Sequence, residues 1–101
     1  MASGEDYLEF VLDLLRDVPE VTYKKMMGEY MLYSGGILFG GIYDDRFLLK
    51  DVLAARSAFP HEEIPYEGAK PMLLVDSEDA TRIAEVVEAM FPQLPAPRQR
   101  R

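Results

Sequence analysis

Apolar residues at Tyr7, Leu8, Val11, Leu12 and Leu15 recur at the spacing that puts side chains on one face of a helix. Ser3, with Asp6 following, offers oxygens to the free N–H groups of the first turn and negative charge to the positive helix end. Asp17-Val18-Pro19 stops the run, because proline cannot donate to the helix and restricts the residue before it. A helix is predicted over residues 4–17. From Val21 to Lys50 the pattern changes to β-branched and aromatic residues interrupted by glycine and aspartate, which predicts strands near 21–26, 29–33, 37–43 and 46–50. Gly35-Gly36 and Asp44-Asp45 are the turn signals between them.

Asp51 begins a short helical stretch through Arg56, followed by a loop containing Pro60, Pro65 and Gly68. Pro71 to Val75 is a further strand. Ser77 starts a last helix, with Ile83, Val86, Val87 and Met90 on one face and Glu85 and Glu88 on the other. The order α-β-β-β-β-α-β-α implies an α+β fold: a two-layer sandwich with a mostly antiparallel sheet of about five strands and terminal helices. The domain is placed at residues 1–92, with a flexible Pro/Arg-rich tail over 93–101.

At 101 residues, 49% of them apolar and 29% charged, the chain holds one core and belongs to the globular class. It has no cysteine and one histidine, His61, which sits in the polar segment Phe59-Pro60-His61-Glu62-Glu63 and reads as a solvated loop residue. These counts leave no thiolate metal site, no cysteine nucleophile and no partner set for triad catalysis, so neither an enzyme nor a cofactor is expected. No leader-like or membrane-length apolar run is visible, which makes the cytoplasm the expected location. Net charge is −7, and three of the 11 basic residues are Arg98, Arg100 and Arg101, leaving 8 basic against 18 acidic residues in the body. That field repels a polyanion, so the body is not expected to bind nucleic acid directly.

The densest candidate surface is Tyr23-Lys24-Lys25-Met26-Met27-Gly28-Glu29-Tyr30-Met31-Leu32-Tyr33. Read as a strand, it puts Tyr23, Lys25 and Met27 on one side and Lys24 and Met26 on the other. Adaptable methionines, amphipathic tyrosines and cations suit a protein interface, which nominates Tyr23, Lys24, Lys25, Met26, Gly28, Tyr30 and Tyr33 as partner-binding residues. The alternative is that these methionines and tyrosines fill the core. Lys50, Tyr66 and Lys70 form a second set, able to hold a small anion if the fold brings them together. The segment Gly68-Ala69-Lys70-Pro71 lacks the spacing of a phosphate loop, and Asp44-Asp45 reads as a turn before it reads as a catalytic carboxylate pair. Free strand edges make a homodimer a further expectation.

Val21-Thr22-Tyr23-Lys24-Lys25-Met26 with Gly28 and Tyr30, then Leu32-Tyr33, Phe39-Gly40, Asp44-Asp45, Phe47, Leu49 and Lys50, and finally Pro65-Tyr66 and Lys70-Pro71-Met72, follow one another in a characteristic order. In this the chain resembles the N-terminal domain of TfoX/Sxy-type regulators of bacterial competence over about residues 5–91. Met27 stands where that family tends to have phenylalanine, and Met31 where it tends to have glycine. The resemblance implies an α/β sandwich without catalytic residues, acting on a transcription-machinery partner such as a cyclic-AMP receptor protein.

Overall fold

Three two-residue turns set the sheet. Met27-Gly28, Gly35-Gly36 and Asp44-Asp45 all have positive φ at both positions, from +53° to +83°, the conformation whose twist matches that of two antiparallel strands. They join β1 (Val21–Met26), β2 (Glu29–Ser34), β3 (Ile37–Ile42) and β4 (Phe47–Leu49) into a meander. The Asp44-Asp45 turn is closed from both sides, with Tyr43 and Arg46 exchanging backbone hydrogen bonds of 2.9 and 3.0 Å. In this computed structural model, which describes residues 3–95, Met27 is therefore a turn residue, 96% exposed, in the gap between the predicted strands 21–26 and 29–33, and does not share a strand face with Tyr23 and Lys25.

Past β4 the chain forms α2 (Leu53–Ala58), β5 (Glu62–Glu63) and β6 (Met72–Leu74), and the sheet order is β1-β2-β3-β4-β6-β5, antiparallel throughout. The sheet has six strands where about five are predicted. The extra one is β5, whose two glutamates carry no strand signal of their own and pair only because β6 offers an edge; His61-Glu62-Glu63 is thus an edge strand and its approach, not a loop.

α1 (Glu5–Leu14) and α3 (Ala80–Met90) pack on one face of the sheet, with α2 against α3. Leu8, Val11 and Leu15 meet Ile83, Val87 and Met90 over Leu32, Phe39, Ile42, Phe47, Leu49 and Leu73. α1 ends before the predicted residue 17: Leu15 N–H is shared between the carbonyls of Val11 and Leu12, and Val18 N–H bonds Leu15 O, a tightening that turns Val18 into the core. Gly4, not Ser3, caps its start. α3 begins three residues after Ser77 because Asp79 is the cap, its Oδ1 accepting from Thr81 and Arg82 N–H at 3.1 and 3.2 Å. The core also reaches past the predicted boundary at 92. Phe91–Gln93 form a 3-10 turn, Leu94 is buried, and Gln93 Oε1 accepts from Ala54 N–H at 2.8 Å. The arginines of the predicted tail lie outside the described residues.

Register divides the strands into two faces. Tyr30, Leu32 and Ser34 point to the helices; Glu29, Met31 and Tyr33 point away, and pairing carries that outer face across Gly41, Leu48 and Leu74. Among the described residues no helix covers it; the segment 64–71, which follows β5, lies over it.

Candidate functional site

Arg46 holds that segment in place. Its guanidinium donates to Tyr43 O (3.1 Å), Glu63 Oε1 (2.9 Å), Ile64 O (3.1 Å) and Pro65 O (3.2 Å), so every nitrogen has a protein acceptor. Arg46 leads into β4 and Glu63 lies in β5, so one side chain ties the hairpin to the far edge of the sheet. Pro65 is buried beneath the crossing, and Leu48 is fully buried although it lies on the face away from the helices. His61 Nε2 lies 2.7 Å from the other Glu63 oxygen. These two contacts, His61 first, hold the Glu63 carboxyl below its ordinary 4.5.

Between the crossing segment and the sheet lies an open cleft of about 550 Å³, lined among others by Tyr43, Lys50, Tyr66, Lys70 and Met72. All three residues of the predicted anion-binding set, Lys50, Tyr66 and Lys70, line this one cleft, although Lys50 follows β4 directly and the other two lie in the 64–71 segment, beyond α2 and β5. Tyr43 and Tyr66 stand with ring centroids 6.0 Å apart at 48° and border a second hollow of about 470 Å³, whose walls include Met26, Met27, Glu29 and Met31. Sequence reading missed Tyr43 and Arg46. The available signal was strand alternation, which puts Arg46, Leu48 and Lys50 on one side of β4.

Gly41 seats Tyr43. A Cβ there would stand 2.6 Å from Tyr43 Cε2 and 2.7 Å from Tyr30 O, so the ring lies where a side chain would be. Burial raises the Tyr43 phenol above its ordinary 10.0, helped by Tyr66 and the negative Glu29, so the hydroxyl keeps its proton near neutrality. Glu29 itself is occupied: it accepts from Ser3 Oγ (2.7 Å) and from Asp44 N–H (3.2 Å). Ser3 Oγ in turn accepts from Asp45 N–H at 3.0 Å.

The predicted partner-binding residues divide. Tyr23, Lys24, Lys25 and Met26 lie exposed along β1, which pairs on one side only and forms an edge of the sheet. Tyr30 is 2% exposed and belongs to the core, because its register faces the helices; Tyr23 packs edge-on against it at 5.7 Å and Lys25 Nζ lies 5.9 Å from its ring. Tyr30 is therefore not a contact residue. Gly28 is in the turn, its carbonyl taken by Ser3 N–H at 3.1 Å, and Tyr33 is half-buried on the outer face. The two-residue turn makes Met26 and Glu29 a mutually bonded pair, and Gly35 N–H bonds Glu20 O at the other end. Even-numbered backbone groups of β1 thus face β2, leaving those of Val21, Tyr23 and Lys25 directed outward.

Among the described residues Arg16, Arg46 and Arg56 form ion pairs with carboxylates, whereas Lys24, Lys25, Lys50 and Lys70 form none. No group of His, Cys, Asp and Glu among them is arranged to hold a metal ion, and no helix is long and apolar enough to cross a membrane.

Fold and surfaces together define a small α+β protein with an open six-stranded antiparallel sheet, helices on one face and a cleft on the other. No family model matches the chain. It is 36% identical over 105 aligned residues to an uncharacterized 12.7 kDa protein in the trpE 5′ region of Spirochaeta aurantia, a match covering 100% of this chain and 91% of that one. The chain belongs to the same family as that protein.

Proposed function

We propose that the protein is a non-enzymatic regulatory domain of the cytoplasm that captures a protein partner by adding an extended segment of that partner to β1. The observation that carries this reading is β1 itself: six residues long, exposed at every position from Thr22 to Met26, with outward backbone groups at Val21, Tyr23 and Lys25. Strand addition draws its affinity from such main-chain groups and its selectivity from the side chains beside them. Lys24 and Lys25 lie there without carboxylate partners of their own, so the complementary segment carries acidic residues. The resemblance to TfoX/Sxy N-terminal domains supplies the partner class, a transcription-machinery protein of the cyclic-AMP receptor kind. His61, tied to Glu63 at an exposed edge, has no nucleophile among its hydrogen-bond partners, which favours binding over catalysis.

The test is affinity capture from native cells with three baits: wild type, Lys25→Pro, and Lys24→Glu with Lys25→Glu. Proline at an outward-facing edge position removes one free donor while leaving the β1–β2 ladder intact. The expected result is a specific partner on wild type that both variants lose, with unfolding curves close to that of wild type. A partner retained by Lys25→Pro would sink the strand-addition reading.

A further inference from the structure

The outer face of the sheet combines, within one cleft, lysines without carboxylate partners and a tyrosine pair in which Tyr43 is half-buried and Tyr66 exposed. Every nitrogen of Arg46 already has a protein acceptor and Arg46 does not line the cleft, so the charge offered to a ligand there is that of Lys50 and Lys70. Asp51 also borders the cleft, but Arg56 grips both of its oxygens, at 3.0 and 2.7 Å. We infer that this cleft binds a small aromatic phosphate, with the phosphoryl group against Lys50 and Lys70 and the ring against the Tyr43–Tyr66 pair.

Size, charge type and polarity each point to that class. A volume of about 550 Å³ is within the range of sites for nucleotide-sized molecules. Lysine ammonium groups act as rotatable point charges that can follow any oxygen of a phosphoryl group without the fixed two-pronged geometry of an arginine. The tyrosine pair, with Met31 in the hollow beyond it, presents flat and polarizable surface to a ring. Glu29 in that second hollow is negative, so it orients the ligand with its anionic end toward the lysines. The protonated Tyr43 hydroxyl adds a donor near neutral pH.

The net charge of −7 does not oppose this. Screening limits distant charges to about 8–10 Å at ordinary ionic strength, so a small anion inside the cleft feels mainly the nearby lysines. A polyanion would have to run across the acidic surface beyond them. The site also stands independently of the β1 edge: Lys50, Lys70 and Tyr66 take no part in strand addition, so failure of partner capture would leave it untouched.

Amide NMR titration of the full chain tests it, with phenyl phosphate and adenosine 5′-monophosphate as probes and inorganic phosphate and adenosine as half-ligands. Saturable shifts are expected at Tyr43, Lys50, Tyr66 and Lys70, with phenyl phosphate binding about tenfold more tightly than inorganic phosphate. Lys50→Met and Lys70→Met should each weaken phenyl phosphate about tenfold. Tyr66→Ala should erase the advantage of phenyl phosphate over inorganic phosphate, and Tyr66 is 61% exposed, so its loss leaves the fold intact. No saturation at millimolar phenyl phosphate overturns the inference, as does undiminished binding when Lys50→Met and Lys70→Met are combined in one chain. Equal affinity for phenyl and inorganic phosphate overturns the aromatic half of it.

Discussion

Gly40 and Met27 show how far single positions control this sheet. Gly40 pairs with Leu32 and with Leu49, and a Cβ built on it would lie 2.4 Å from the backbone oxygen of Leu48. Because the obstacle is main chain in a central strand, no side-chain adjustment relieves it. Gly40→Ala should cost about 3 kcal/mol, read as a lower urea midpoint at unchanged m-value. Met27 is the opposite case. Its φ of +53° is strained for a side chain with a Cβ, and its 96% exposure returns nothing through packing. Met27→Asn creates the Asn-Gly pair that this turn type prefers, and should raise stability by about 0.5–1 kcal/mol in the same denaturation experiment. Asp44-Asp45 was legible as a turn because aspartate accepts positive φ; Met27 was not, because nothing in methionine signals it.

At the scale of elements, the segment 64–71 depends on contacts that no local pattern announces. Helices and long strands declare themselves by periodicity, and all three helices and the first four strands stand close to their predicted places. β5 does not, since its two glutamates pair only where β6 offers an edge, and the cleft under the segment that follows it is legible only as separate residues. Arg46 makes that long-range join. Arg46→Ala should cost about 2 kcal/mol by leaving the carbonyls of Ile64 and Pro65 without their side-chain donor, and should expose 64–71 to limited proteolysis. Acid should loosen the same segment. The Glu63 carboxyl is held below its ordinary 4.5, so its contribution is complete above that pH and disappears as pH falls through the lower, folded value. Amide protection factors across residues 62–71, exchange rates divided by the intrinsic rate at each pH, should therefore fall below about pH 4.5 in wild type. In Glu63→Gln protection should already be low at neutral pH and show no further acid response from this group.

The whole molecule has two sheet edges, and it guards them differently. The β5 edge is two residues long and capped by ion pairs, Glu62 with Arg56 and Glu63 with Arg46, and by the His61–Glu63 hydrogen bond. The β1 edge is six residues long, and adjacent unpaired lysines stand on opposite faces of it. Two copies meeting antiparallel along β1 would bring four ammonium groups into one short ribbon, a repulsion that blunts self-pairing. The homodimer expected from a free edge is therefore opposed by the side chains on that edge, and the wild-type protein should run as a monomer in light scattering at micromolar concentration. An incoming strand with carboxylates meets the reverse situation: the same lysines attract it. Lys24→Thr with Lys25→Thr separates these two effects, since threonine keeps strand preference and removes the charge. That variant should self-associate where wild type does not, and raising the salt concentration should drive wild type in the same direction by screening the lysines. If the uncharged variant stays monomeric at every concentration, the β1 edge does not accept a strand, and charge cannot be what selects the partner there.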